Sequence, residues 1–351
     1  MFLPRWRFLI TMYFLSKNIL LCCTLTLLGC SSSYGQVTYF ADILGHGFKQ
    51  ATIVQPSDYE GSVTCTVIKK QTPEKSDKAV LYVHGFNDYF FQEEMAERFI
   101  KEGYNFYAVD LRKYGRSYLA NQKFNNVRDL SEYFADIDTV LNIIKSEGSD
   151  KVLLSGHSTG GLTVSLYAAE RGGKEMFDAI LLNSPFFDLN VKSVLKKTAI
   201  PVIVKRAEKH PETTISAGLS PLYGESLHKD AHGEWSYNLG WKPHIAPPVN
   251  FGWIRAIHLG QLKLAQGLQI NKPVLVLHSA KSIEEKKWSD VMFTGDAVLN
   301  VEEIAKQAQN IVGQYSIQAI QGGMHDLILS RKPVREEVYS TIFNWAKRNV
   351  K

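Results

Sequence analysis

The chain has 351 residues, 45% of them hydrophobic and 21% charged, an ordinary globular composition with ample length for a large core. Its formal net charge is +5, but Arg5, Arg7 and Lys17 precede Cys30 with no acid among them. The remainder carries about +2, too weak and too scattered to argue for a nucleic-acid partner.

The first thirty residues read "MFLPRWRFLITMYFLSKNILLCCTLTLLGC". Basic residues come first, then an apolar run from Ile19 to Leu28 that is short for a membrane span. The run ends in Leu27-Leu28-Gly29-Cys30 and then "SSSYGQ". The arrangement resembles a bacterial lipoprotein signal. That resemblance implies a signal peptide over 1–29, lipidation of Cys30, a polar tether over 30–37 and a lipid-anchored protein of the bacterial cell envelope. Acyl chains at roughly 0.8 kcal/mol per buried CH₂ would hold it on a membrane. Processing leaves Cys30 and Cys65, and a lipidated Cys30 leaves no disulfide to form within the chain. Cys65 is expected to be a core or edge residue of a strand.

From Thr38 onward, strands and helices alternate. "SVTCTVIKK" and "AVLYVHGF" read as strands, and "DYFFQEEMAERFIKEG" has helical spacing with a closing glycine. "NFYAVDL" is a strand. "DLSEYFADIDTVLNIIKSEG" is a helix with Asp129 or Ser131 as its cap. "KVLLSGH" is a strand that runs straight into the helix "STGGLTVSLYAAERG". "AILLNSP" and "KPVLVLHS" are strands, "NVEEIAKQAQNIVG" a helix, "YSIQAIQG" a strand and "KPVREEVYSTIFNWAKRNV" a closing amphipathic helix. Apolar strands alternating with helices predict an α/β fold, its mostly parallel sheet covered on both faces.

About eighty residues separate "AILLNSP" from "KPVLVLHS", too many for a structureless loop. They are read as a helical cap over 186–271, inserted into a core formed by 38–185 and 272–351. Such a cap would cover the strands' C-terminal ends, where open α/β sheets bind ligands. It contains Trp235, Trp241 and Trp253, which either line a pocket or form the cap's own core. The cluster Lys192, Lys196, Lys197, Lys205, Arg206 and Lys209 is read as a solvated helix face. His228 and His232 are four apart without the glutamate of H-E-x-x-H, so no metal site is expected there.

The junction Gly156-His157-Ser158-Thr159-Gly160 carries the chemistry. A strand running directly into a helix must turn sharply and holds its turn residue under strain of about 1–3 kcal/mol. Gly156 and Gly160 remove side chains that would collide, and Gly161 lets the helix pack close. The serine then sits beside a helix N-terminus, whose free N–H groups favour negative charge. This is the nucleophile-elbow pattern G-x-S-x-G in its strand-turn-helix setting.

A serine hydroxyl needs a base, and the base needs an acid to orient it. His325, in Gly322-Gly323-Met324-His325-Asp326 after the last strand, is the expected base. Asp296, before Ala297-Val298-Leu299, is the expected acid, with Asp290 and Glu284 as competitors. Two backbone N–H groups should form the oxyanion hole, those of Phe86 and Thr159, with Gly85 allowing close approach. His84 is read as structural.

Together "HGFND", "VDLRKYGRS", "GHSTGG", "DAVLNV" and "GGMHD", in that order, resemble α/β-hydrolases of the group that includes monoacylglycerol lipases, bacterial lysophospholipases and related serine esterases. The likeness runs from about Thr38 to the C-terminus and is weak in the cap. It implies ester hydrolysis on a small-molecule or lipid substrate, such as a monoacylglycerol or lysophospholipid, with no metal or organic cofactor. The alternatives are a peptidase or amidase on the same triad and a non-catalytic envelope lipoprotein. Arg112-Lys113-Tyr114-Gly115 replaces the Arg-Gly-His-Gly usual in that group, and this loop is read as structural.

Overall fold

A computed structural model describes residues 37–350 of the chain. The signal peptide, Cys30 and nearly all of the tether lie outside the described residues. Nine strands form one sheet: β1 Phe40–Ala41, β2 Lys49–Asp58, β3 Gly61–Lys70, β4 Lys78–Val83, β5 Asn105–Asp110, β6 Lys151–His157, β7 Ala179–Asn183, β8 Val274–Ser279 and β9 Tyr315–Ile320. Their spatial order is β1-β2-β3-β5-β4-β6-β7-β8-β9. The pairs β1–β2, β2–β3 and β3–β5 are antiparallel, and every pair from β5 to β9 is parallel.

The central strands are apolar almost throughout because both faces are covered. In β4, Ala79, Leu81 and Val83 enter one core while Val80 and Tyr82 enter the other. β6 and β8 divide in the same way, with Val152 and Leu154 opposite Leu153, and Val274 and Val276 opposite Leu275 and Leu277. The second core is closed by α1 (Glu93–Lys101) and α8 (Lys332–Asn349) through Met95, Phe99, Ile342 and Phe343. The first is closed by α2 (Phe134–Ser146), α3 (Thr159–Arg171), α6 (Phe251–Ala265) and α7 (Val301–Ala308), with Ile137, Leu162, Ile257 and Ile304 inside. Each such side chain contributes roughly 1.5–3 kcal/mol on burial. Cys65 is a buried free thiol in β3.

Asp129 is the cap before α2. Its carboxylate accepts from Ser131 N–H at 2.9 Å, and Glu132 accepts from Asp129 N–H at 3.1 Å, a reciprocal capping box. It opens a 3₁₀ turn, Leu130–Tyr133, that leads into the helix. The loop after β5 is held by ion pairs. Arg112 grips buried Asp136 (Nη2–Oδ1 2.7 Å), and Lys113 Nζ sits between Asp58 and Glu60 at 2.6 and 2.7 Å. Arg116 joins Asp42 and Asp110 at 2.7 and 2.9 Å. These contacts tie the loop to β2, α2 and the chain before β2, and give the changed Lys113 a structural place.

The stretch between β7 and β8 has two characters. It contains α4 (Ser193–Ala207), α5 (Pro221–Leu227) and α6. The sequence reading gives 186–271 wholly to a cap, but α6 lies against α3 in the helical layer of the core. Gly260 makes this possible, because a Cβ there would come within 2.9 Å of Leu130 Cδ1 and 3.0 Å of Leu166 Cδ1. The part before α6 carries α4, in which only Ile200 and Ala207 are buried; Lys192, Lys197, Lys205, Arg206 and Lys209 are exposed. No helix among the described residues is long and apolar enough to cross a membrane.

Parallel register brings the functional loops to one sheet edge. Val83 is paired with Gly156, His157 with Asn183, Asn183 with Leu277, and Ser279 with Ile320. The chain therefore leaves β4, β6, β7, β8 and β9 on the same side.

Candidate active site

Ser158 occupies the turn between β6 and α3 with φ 54° and ψ −118°. That left-handed backbone costs a non-glycine residue of order 1–3 kcal/mol. Hydrogen bonds hold it there. Ser158 N–H donates to Asn183 O at 3.0 Å, and Ser158 O accepts from Gly161, Leu162 and Phe186 N–H at 2.9, 3.2 and 2.9 Å. The flanking glycines are sterically required. A Cβ on Gly156 would lie 2.6 Å from Gly160 O, and one on Gly160 would lie 2.3 Å from His84 O and 2.5 Å from Val83 O.

The structure brings Ser158, His325 and Asp296 into one hydrogen-bonded line. His325 Nε2 is 3.1 Å from Ser158 Oγ, and His325 Nδ1 is 2.9 Å from Asp296 Oδ2. An ionised Asp296 can only accept, so Nδ1 carries the proton and Nε2 is left to accept from the serine hydroxyl. Asp296 is fully buried, and its other oxygen accepts from Val298 and Leu299 N–H, both at 2.8 Å. Those two bonds fix the carboxylate that fixes the imidazole. Chemically, the line can take a proton from the hydroxyl and stabilise the imidazolium that results. The competing acids, Asp290 and Glu284, are exposed.

The loop after β4 lies directly on the serine. A Cβ on Gly85 would be 3.0 Å from Ser158 Cβ. Phe86 follows, and its ring packs on Trp253 with centroids 4.8 Å apart. Among the described residues, neither Phe86 N–H nor Thr159 N–H donates to a protein acceptor. His84 is committed to the fold: its Nε2 accepts from Leu111 N–H at 3.0 Å, so its Nδ1–H donates to Gly85 O at 2.8 Å.

Three residues that the sequence reading gave no role support this arrangement. Asn183, at the end of β7, serves both sides. Its carbonyl receives Ser158 N–H, its amide donates to Asp326 Oδ1 at 2.7 Å, and its side-chain oxygen accepts from Leu327 N–H at 3.3 Å. It thus binds the serine turn to the histidine loop. Tyr223, from α5, packs edge-on against the His325 ring and accepts from Asp326 N–H at 3.1 Å. His157 lies 4.9 Å from the His325 ring and donates to Asn183 O at 3.2 Å. Burial pushes the His157 pKa below the ordinary histidine value, which favours a neutral ring beside His325. A polar residue ending an apolar strand at the ligand-binding edge was the available signal for Asn183. No pattern marks Tyr223, whose partner is a hundred residues away.

Solved structures share this fold. A soluble variant of monoglyceride lipase from Saccharomyces cerevisiae, in complex with a substrate analog, superposes with TM-score 0.61 at 17% identity, over 86% of this chain and 96% of that one. The monoacylglycerol lipase of Paleococcus ferrophilus gives 0.59 at 20% identity, over 80% and 96%. Est1E from Butyrivibrio proteoclasticus, with ferulic acid bound, gives 0.55 at 15% identity, over 85% and 99%. The fold is thus that of the α/β-hydrolases, and the family model for serine aminopeptidase, S33, matches residues 74–329. On that match, the chain belongs to the serine aminopeptidase S33 family.

Proposed function

We propose that this protein is a serine ester hydrolase that works through an acyl-enzyme intermediate on lipid-like carboxylic esters, such as monoacylglycerols or lysophospholipids. The hydrogen-bonded line from Ser158 through His325 to buried Asp296 carries the reading. Ser158 Oγ attacks the ester carbonyl carbon while His325 Nε2 takes the hydroxyl proton. Asp296 keeps the imidazole in the productive tautomer and stabilises its positive charge. The N–H groups of Phe86 and Thr159 hold the oxyanion, each contributing about 10²–10³ in rate. His325 then protonates the leaving alcohol. Water, deprotonated by His325, releases the acid and restores Ser158.

The family name raises aminopeptidase activity as a second reading. A substrate's N-terminal ammonium needs an uncommitted carboxylate near the serine. Among the described residues, Asp296 holds His325, Asp326 holds Asn183, and Asp88 faces Lys242 at 2.9 Å, so none of these three carboxylates is uncommitted. This favours esters. The monoglyceride lipase and monoacylglycerol lipase among the similar structures support a lipid substrate, as does the expected lipid anchor at Cys30.

A fluorophosphonate probe tests the nucleophile. Wild type is expected to be labelled and Ser158→Ala not, while an unlabelled wild type would rule out the mechanism. Rates on p-nitrophenyl esters of increasing chain length, monoacylglycerol, lysophospholipid and aminoacyl-arylamides then separate esterase from aminopeptidase. For the envelope location, Cys30→Ser should move the protein from the membrane to the soluble fraction.

A further inference from the structure

The residues that immediately follow the oxyanion donor Phe86 all bind one short stretch of the inserted segment. Asn87 Nδ2 donates to Pro243 O at 2.9 Å. Asp88 Oδ1 lies 2.9 Å from Lys242 Nζ. Tyr89 Oη accepts from Asn238 N–H at 2.6 Å, and its ring meets that of Trp241 at 5.1 Å. Three consecutive side chains are therefore tied to residues 238–243. Asn87 itself has φ 51°, a left-handed backbone that asparagine tolerates better than most residues but that still requires support. On its other side the loop is pinned at Phe90, whose N–H donates to Asp110 Oδ1 at 2.9 Å.

The ion pair is the informative member. Lys242 and Asp88 are both buried, and the ammonium lies among the rings of Phe91 and Tyr237. Burying two charges in an apolar setting is a poor way to gain stability, because desolvation offsets the attraction. Such a pair does impose geometry, since any displacement leaves a buried charge alone. Here the geometry imposed is that of the loop bearing the Phe86 N–H.

We propose that Lys242 and Asp88, with Asn87 and Tyr89, are positioning residues that make the oxyanion hole a joint product of the core and residues 238–243. This deepens the hydrolase reading and rests on it. The core supplies the Phe86 N–H, and the inserted segment fixes where it points. An oxyanion donor acts on the transition state and little on the bound substrate. A loop displaced by even about 1 Å can cost on the order of 10² in rate.

The experiment compares Lys242→Met, Lys242→Arg and Ser158→Ala in the full chain, on one ester. Lys242→Met is expected to lower kcat about 10- to 100-fold with KM within about twofold. Its affinity for a trifluoromethyl ketone, which forms an oxyanion on the serine, should fall by a similar factor. Lys242→Arg, which keeps the charge, should recover most of the loss. A purely structural role would lower the melting temperature and the active fraction without a matched loss of ketone affinity, and would overturn the proposal. So would wild-type kcat in Lys242→Met while Ser158→Ala is inactive. Full activity in Ser158→Ala would instead remove the underlying hydrolase reading. Should Lys242→Met fail to fold, Tyr89→Phe carries the test, because it deletes only the hydroxyl that accepts from Asn238. A kcat lowered threefold or more at steady KM supports the proposal, and wild-type kcat overturns it.

Discussion

Helices α3 and α4 are of similar length and have little else in common. In α3, ten of thirteen residues are buried, and the helix begins on the strained turn at Ser158. In α4, two of fifteen are buried, Val194 and Val202 are 70% and 65% exposed, and Pro201 sits inside the helix. Packing from every side dictates the position of α3, so its turn can be held in an unfavourable conformation. What holds α4 is its contact with α6, the buried Ile200 and Ala207, and an ion pair between Lys196 and Asp188. The strained turn at Ser158 is thus borne where neighbours over-determine the backbone, and freedom to vary lies where they do not.

The contrast can be broken at measurable points. Asp296→Asn should cause the largest change: it keeps the shape but favours the wrong histidine tautomer, and kcat should fall on the order of 10⁴ in steady-state ester assays. An unchanged kcat would mean that the acid is elsewhere. Gly160→Ala should come next, because its methyl group would meet two backbone carbonyls at 2.3 and 2.5 Å. A loss of about 3 kcal/mol in urea unfolding is expected.

A pH effect should follow. Burial lowers the pKa of His157, and of His278, below the unfolded value near 6.5. Below that pH the unfolded chain binds more protons than the folded one, so stability should fall as pH falls and be fully regained above it. His157→Gln should flatten that slope in melting experiments across pH 5 to 8, and an unaltered slope would acquit His157. The smallest change is expected at Val202→Ser on α4, within about 0.5 kcal/mol, since the valine buries little to lose. A large loss there would show that α4 is covered by a partner in solution.

What could be read in the sequence follows the same division. Gly156 is forced by a collision with Gly160 O four residues on, and such local necessity leaves a pattern around Ser158. The bar on a side chain at Gly160 comes instead from Val83 and His84 at the end of the neighbouring strand. His325 and Asp296 were reachable because parallel strands deliver successive loops to one edge in chain order. The dual role of Asn183, the ring of Tyr223 beside His325 and the pairing of Lys242 with Asp88 depend on contacts between segments far apart in the chain. No periodicity encodes them. Assigning α6 to the inserted segment had the same origin: the length between two strands suggests an insertion, and the close approach of Leu130 and Leu166 to Gly260 is a contact between distant segments.

The tie between residues 87–89 and 238–243 bears on how such enzymes can be recombined. A chimera that borrowed the segment between β7 and α6 from another hydrolase would bring no counterpart for Asn87, Asp88 and Tyr89. It would fold around an intact elbow and still turn over slowly. Replacing positions 87–89 with the donor's own residues along with the foreign segment is the smallest exchange that keeps donor and recipient matched.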